Sequence, residues 1–216
     1  MISLIVLDTE TGGLDPDKHC IIELAARLVH IDNRSLRVTL KVFHTYIQPD
    51  RPVDPAAAEV NGYNKHFWNR KAVRPKHAFT GFVNWLNALC EIDHVNQCSH
   101  ELEGLIWAGS NVLGFDLPFL RSDMARVGLE LPGKPKMTRR TLNTESLCFP
   151  LFVSGQVEGC GIADLRKWAG CEGEQAHRAI DDIDDTIKVI DAYLRSIFVI
   201  DEYNKKRNEI KRELKC

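Results

Sequence analysis

The chain predicts a mixed α/β sheet flanked by helices, on three observations. It opens on an apolar run, Ile2-Ser3-Leu4-Ile5-Val6-Leu7, which ends at Asp8-Thr9-Glu10-Thr11-Gly12 and reads as a buried strand. Two β-branched stretches, Ile21 to Ile31 and Leu36 to Ile47, meet across Asp32-Asn33-Arg34-Ser35 and read as a hairpin. Further on, Phe79, Phe82, Val83, Leu86 and Leu89 recur at helical spacing. Strands that begin as a meander and then mix with helices suit a mixed sheet.

The elements follow in order. A strand over residues 2 to 8 leads through a turn and loop into the hairpin, and a helix around Phe79 to Leu89 follows a polar stretch, Asn64 to Lys76. Residues 91 to 104 read as a loop-rich insertion before a strand at 105 to 109, and Phe115 to Val127 as a helix. A last strand or turn near Thr141 to Leu147 precedes a helical stretch at 161 to 169, and a long helix runs from about 178 toward the end. No internal repeat, low-complexity segment or linker divides the chain. At 216 residues with 44% hydrophobic content it supports one sizeable core. The expected division is a main domain over residues 1–200 and a basic helical tail over 201–216.

Charge and cysteines narrow the class. A net charge of −2 is not that of a protein that coats polyanions by bulk electrostatics. Basic residues are nonetheless grouped: Lys134, Lys136, Arg139 and Arg140 share a Pro- and Gly-bearing loop, which either faces phosphates or is simply solvated. In the tail, Lys205, Lys206, Arg207, Lys211, Arg212 and Lys215 interleave with Glu202, Glu209 and Glu213, the mixture of a solvated helix face. Seven scattered cysteines with no CxxC pair read as reduced thiols, and no apolar run approaches a membrane span. A soluble, cytoplasmic protein with no membrane partner is expected. Cys90, His94, Cys98 and His100 have zinc-ligand chemistry but lack the loop that separates two ligand pairs, so they read as ordinary helix residues.

The chemistry begins at Asp8 and Glu10. Two acids two positions apart on a strand point the same way. Like charges so placed need a neutraliser, and a hard divalent cation is the natural one for oxygen ligands. The theme recurs where Asn111-Val112-Leu113-Gly114-Phe115-Asp116 follows an apolar stretch and where His177-Arg178-Ala179-Ile180-Asp181-Asp182 opens a helical pattern.

Asp8-x-Glu10-Thr11 with Gly12 or Gly13, then Asn111-x-x-x-Phe115-Asp116-x-x-Phe119-Leu120, then His177-x-Ala179-x-x-Asp182, resemble the three motifs of the DEDDh 3′–5′ exonucleases in order and rough spacing. That family includes the proofreading subunit of bacterial DNA polymerase III, ribonuclease T, oligoribonuclease and the three-prime repair exonucleases. The resemblance covers residues 2 to 195. Val53 to Gly62 looks like the family's loop and short helix after its third strand, and Leu165 to Gly170 like the helix before its histidine motif. It implies a ribonuclease H-like fold and a hydrolase acting on DNA or RNA from the 3′ end, met as a single strand, with release of nucleoside 5′-monophosphates. It assigns Asp8, Glu10, Asp116 and Asp182 to two Mg²⁺ or Mn²⁺ ions, which suit in-line displacement at a phosphodiester. His177 is the natural general base, since a neutral imidazole can take a proton from water.

Around these residues, Thr11, Gly12, Gly13 and Leu14 read as a segment that touches the terminal nucleotide, with Leu14 near its base, or else as a tight turn ending in a buried leucine. Asn111, in an apolar setting, either holds its loop or touches the nucleotide. Phe119 and Leu120 read as packing. Asp181, Asp184 and Asp185 read as acids complementing the positive end of a helix. Two rival functions stand beside the nuclease. One is a noncatalytic nucleic-acid-binding relative; the other is a haloacid-dehalogenase-like phosphatase, whose strand-end Asp-x-Asp-Thr resembles Asp8-Thr9-Glu10-Thr11 but leaves the other two motifs unexplained. Sugar preference and a choice between homodimer and polymerase partner stay open.

Overall fold

The computed structural model describes residues 2–32, 35–92, 105–132, 141–171, 173 and 175–213. Five strands form one sheet: β1 (Ile2–Thr11), β2 (Ile21–Asp32), β3 (Ser35–Tyr46), β4 (Leu105–Gly109) and β5 (Thr141–Asn143), in the order β3-β2-β1-β4-β5. β1 is central, antiparallel to β2 and parallel to β4. The expected mixed sheet and hairpin are present, while the turn residues 33–34 lie outside the described residues.

Alternation along β1 builds both layers of the core. Ile5 and Leu7 face a cluster with Phe79, Phe82 and Leu86 of α3 (Pro75–Ile92) and Leu117, Phe119 and Leu120 of α4 (Asp116–Arg126). Phe119 and Leu120 are thus packing residues, as expected. Leu4 and Val6 face the opposite way, against Ala179, Ile183, Ile187 and Ile190 of α7 (Ala179–Glu213). Those positions fall at helical spacing, so one stripe of α7 covers the sheet. The helix runs through both halves of the division drawn from sequence at residue 200. Among the described residues no helix is long and apolar enough to cross a membrane.

Two helices depart from expectation. The polar stretch contains α2 (Lys65–Lys71), which follows the short α1 (Pro55–Asn61). Asn64 caps it by accepting from the Phe67 amide at 3.0 Å, and Trp68 is buried with its indole N–H donating to the Ile22 carbonyl at 2.9 Å. Adjacent Phe67 and Trp68 therefore anchor the helix against β2 and β3, a tertiary cause that periodicity does not register. The second is α5 (Glu145–Val153), directly after β5, which contains Pro150. Proline removes an interior hydrogen bond and argues against helix in sequence, yet buried Cys148 and Leu151 dock α5 on Leu165 of α6 (Ile162–Trp168) and Val189 of α7. Residues 93–104 of the presumed insertion, with His94, Cys98 and His100, lie outside the described residues, as do the Cys90 side chain and the basic loop 133–140.

Candidate active site

Asp8 and Glu10 continue the Leu4–Val6 face of β1 beyond the first turn of α7. They stand within the strand rather than after it, because β1 extends to Thr11. The β1–β2 register shifts between Glu10 and Thr11, where Glu10 pairs with Glu23 and Thr11 with Ile21. Such a bulge bends and twists the sheet locally, here directly beside the acids. Asp182, in the first turn of α7, approaches from the helix side. One oxygen each from Asp8, Glu10 and Asp182 lie within 4.8 Å of one another.

Asp116 opens α4, where an acid suits the positive helix end. It is buried and accepts from the Thr9 hydroxyl at 2.7 Å. Thr9 points to the face opposite Asp8 and Glu10, so β1 carries a carboxylate pair on one side and a donor that fixes the next carboxylate on the other. Gly109, the last residue of β4, permits the close chain approach: an added Cβ would meet the Leu7 carbonyl at 2.7 Å.

The electrostatics are those of unneutralised acids. Burial pushes Glu10 up to about 8, with Asp182, Glu23 and Asp116 adding to the rise and Arg178 opposing it. Asp116 is raised to about 7 by burial, against the Thr9 hydrogen bond. Asp8 is driven well above the ordinary carboxylate range, first by burial and then by Asp116, Glu10, Asp182 and Glu23. Burial also raises Asp182, partly offset by the Gln175 side chain, which donates at 3.2 Å, and by His177. An all-oxygen donor set with this much excess negative charge fits hard divalent cations such as Mg²⁺ or Mn²⁺.

His177 precedes α7 with a φ of 49°, and Asn111 has a φ of 50°. These are the non-glycine residues with positive φ among the described residues, and both were singled out in the sequence. Backbone in this region is costly for a non-glycine residue and gathers at functional sites. Asn111 is exposed rather than in an apolar setting; its amide N–H donates to the Asn143 side chain at 2.7 Å, and its carbonyl accepts from Gly114 and Phe115.

The Thr11–Leu14 segment is pinned from several directions. The Thr11 hydroxyl donates to the Gly13 carbonyl at 2.7 Å, Asn61 donates to the Thr11 carbonyl at 2.9 Å, and Gly12 bonds to Cys20 and Asp54. A Cβ at Gly13 would lie 2.6 Å from the His19 ring. Leu14, at 84% exposed, projects into solvent rather than ending the turn in the core. Of the helix acids, Asp184 pairs with Arg27 at 3.1 Å and Asp185 with Arg166 at 2.6 Å, so tertiary ion pairs accompany any dipole role.

Sequence reasoning missed Glu23. It is fully buried on β2, accepting from or pairing with His44 Nε2 at 2.7 Å and Arg178 Nε at 3.0 Å. The available signal was an acid inside the unbroken apolar run Ile21-Ile22-Glu23-Leu24-Ala25-Ala26: buried on both faces, such a residue must find charged or donor partners.

The mixed five-stranded sheet, with acids gathered at the head of its central strand, has the fold of solved exonucleases, a ribonuclease H-like one. Residues 5–101 match the family model described as RNase_T: Exonuclease. The DNA polymerase III subunit epsilon of Pasteurella multocida (strain Pm70) is 51% identical over 63 residues, covering 27% of this chain and 23% of that protein. The match therefore spans about a quarter of that relative's length. Ribonuclease T of Haemophilus influenzae (strain PittGG) is 27% identical over 188 residues, 86% of this chain and 76% of that protein. Escherichia coli Exonuclease I in complex with a dT13 oligonucleotide shares the fold with a TM-score of 0.67 at 18% identity, covering 93% of this chain and 43% of that one. The cell-death related nuclease 4 (CRN-4) does so with a TM-score of 0.65 at 15% identity, covering 91% and 64%. Residues 5–101 are thus similar to an exonuclease family, and most of the chain is similar to a ribonuclease T.

Proposed function

We propose that this chain is a metal-dependent 3′–5′ exonuclease of the DEDDh type, which hydrolyses the terminal phosphodiester of single-stranded DNA or RNA and releases nucleoside 5′-monophosphates. The observation that carries the reading is the convergence of Asp8, Glu10 and Asp182 oxygens within 4.8 Å, beside the Thr9-held Asp116 and with His177 at the entrance of α7. Asp8, Glu10, Asp116 and Asp182 would hold two Mg²⁺ or Mn²⁺ ions, whose chemistry is to activate a water and neutralise the departing oxygen. His177 takes the proton of the attacking water at a ring nitrogen; losing a general base costs roughly 10²-fold to 10⁴-fold in rate. Exposed Leu14 meets the terminal base, while Thr11, Gly12 and Gly13 bring backbone close to the sugar and Asn111 reaches the same nucleotide. The names of the relatives, a ribonuclease T and a DNA polymerase III subunit, support the reaction class and a nucleic-acid partner. The free thiols of Cys20, Cys148, Cys160 and Cys171 favour the reducing cytoplasm.

The test compares end-labelled DNA and RNA oligomers, single- and double-stranded, with Mg²⁺ or Mn²⁺. A ladder of 3′-shortened products with mononucleotide release is expected, silenced by EDTA and stripped of most turnover by Asp8→Ala, Asp182→Ala or His177→Ala with the fold retained. Release of inorganic phosphate alone would point to a phosphatase, and binding without cleavage to a noncatalytic relative. Full activity in EDTA would overturn the two-ion reading.

A further inference from the structure

Arg178 joins three parts of the molecule. Its carbonyl accepts the amides of Asp181 and Asp182, both at 2.9 Å, and so starts α7. Its guanidinium Nε donates to Glu23 Oε2 at 3.0 Å on β2, and its terminal nitrogen donates to the Tyr46 hydroxyl on β3. The guanidinium also lies 5.2 Å from the centroid of the Tyr46 ring. The partners are themselves fixed. Glu23 is fully buried and its other oxygen meets His44 Nε2 at 2.7 Å, while Tyr46 packs edge-on against Phe67 and Trp68 at 5.2 Å each.

Glu23 stands directly across the strands from Glu10, and like charges so paired are destabilising. Keeping a fully buried acid there makes sense if it holds something that the site needs. The residue it holds follows His177, whose φ of 49° must be maintained at the end of a segment without helix or strand. The Arg178 guanidinium is engaged by both Glu23 and Tyr46.

We propose that Glu23, Tyr46 and Arg178 form a clamp that fixes the backbone of residue 177 and thereby aims the His177 imidazole across Asp182, making Arg178 a positioning residue for the general base. The inference rests on the nuclease reading for its kinetic consequence but not for its structural one. A clamp that only orients the base changes kcat and leaves substrate affinity in place. A clamp that only stabilises the fold acts on every property alike, whether or not His177 is present.

The experiment uses the full chain with Arg178→Met, Arg178→Lys and Glu23→Gln, each also combined with His177→Ala. In Arg178→Met, kcat on a labelled oligonucleotide should fall by roughly 10-fold to 100-fold, a fraction of the whole general-base effect, with KM within about twofold and Mn²⁺ affinity no weaker, since the Arg178 charge opposes the field of the acids. Arg178→Lys keeps the charge but not the fork that reaches two partners, so it should recover only part of the rate. Glu23→Gln should resemble Arg178→Met if it folds. In the His177→Ala background each replacement should cost less than about twofold, because the group being aimed is gone. Independently of turnover, the His177 ring signal in a ¹H–¹⁵N NMR spectrum should be single in the unmodified protein and shifted or broadened in Arg178→Met. An unchanged ring signal, or a rate loss that persists in full without His177, would overturn the clamp. If the unmodified protein releases no nucleotide, the nuclease reading fails and the ring signal alone judges the clamp.

Discussion

Replacing Glu10 by glutamine should stabilise the cation-free protein at alkaline pH. The carboxyl of Glu10 is raised from 4.5 to about 8, first by burial and then by the charges of Asp182, Glu23 and Asp116. A group whose folded value lies above its unfolded value contributes stability that is full below 4.5 and lost as pH climbs through about 8. Taken whole, the interval from 4.5 to about 8 is worth roughly 5 kcal/mol. Water reaching this half-buried side chain screens it, so roughly 2–3 kcal/mol is the expected gain for Glu10→Gln. Urea unfolding in EDTA at about pH 5 and about pH 9 measures it, by linear extrapolation. The variant should match the unmodified protein within about 0.5 kcal/mol at the lower pH, where little of the burden has developed, and exceed it at the higher. Saturating Mg²⁺ should reverse the order, because the variant has lost a ligand whose binding stabilises the folded state. A variant no more stable than the unmodified protein at about pH 9 in EDTA would refute the repulsive cluster.

Thr9→Val removes the donor to buried Asp116; it should cost about 1–3 kcal/mol in urea unfolding, most when Asp116 is ionised. Since that bond opposes the rise of Asp116 to about 7, the acidic limb of the rate profile should move to higher pH, and an unmoved limb would exclude Asp116 from it. Phe82→Ala empties a fully buried position 5.2 Å from the Phe43 ring and 5.9 Å from Trp85, so a loss of about 3–5 kcal/mol is expected by the same assay. Titration with Mn²⁺ should separate ligand from base: affinity falls 10-fold or more, roughly, in Asp182→Ala and changes little in His177→Ala. Equal losses in the two would place the imidazole among the ligands.

The legible elements were those whose local pattern and tertiary role agree. β1, the β2–β3 hairpin, α3, α4 and α7 all carry their burial in their own periodicity, and α7 also announces its start through acids. The three motifs single out Asp8, Glu10, Asp116, His177 and Asp182, and the fold brings together one oxygen each of Asp8, Glu10 and Asp182. What was not legible depends on distant partners. Trp68 makes α2 a helix by reaching the Ile22 carbonyl, and α5 tolerates Pro150 because α6 and α7 cover it. Asp184 and Asp185 looked like generic helix-start acids until Arg27 and Arg166 came to meet them. Glu23 shows the limit most directly: a lone acid in an apolar strand signals a partner without saying that the partner is residue 178.

The alternation along β1 ties competence to foldability. Leu4 and Val6 seal the sheet against α7 through the same even positions that present Asp8 and Glu10. Inserting or deleting a single residue before Leu4 could be absorbed at the strand's edge. The same lesion between Val6 and Asp8 would invert the parity of both acids and drive them toward Phe79 and Phe119. This strand can therefore drift by substitution but hardly by length.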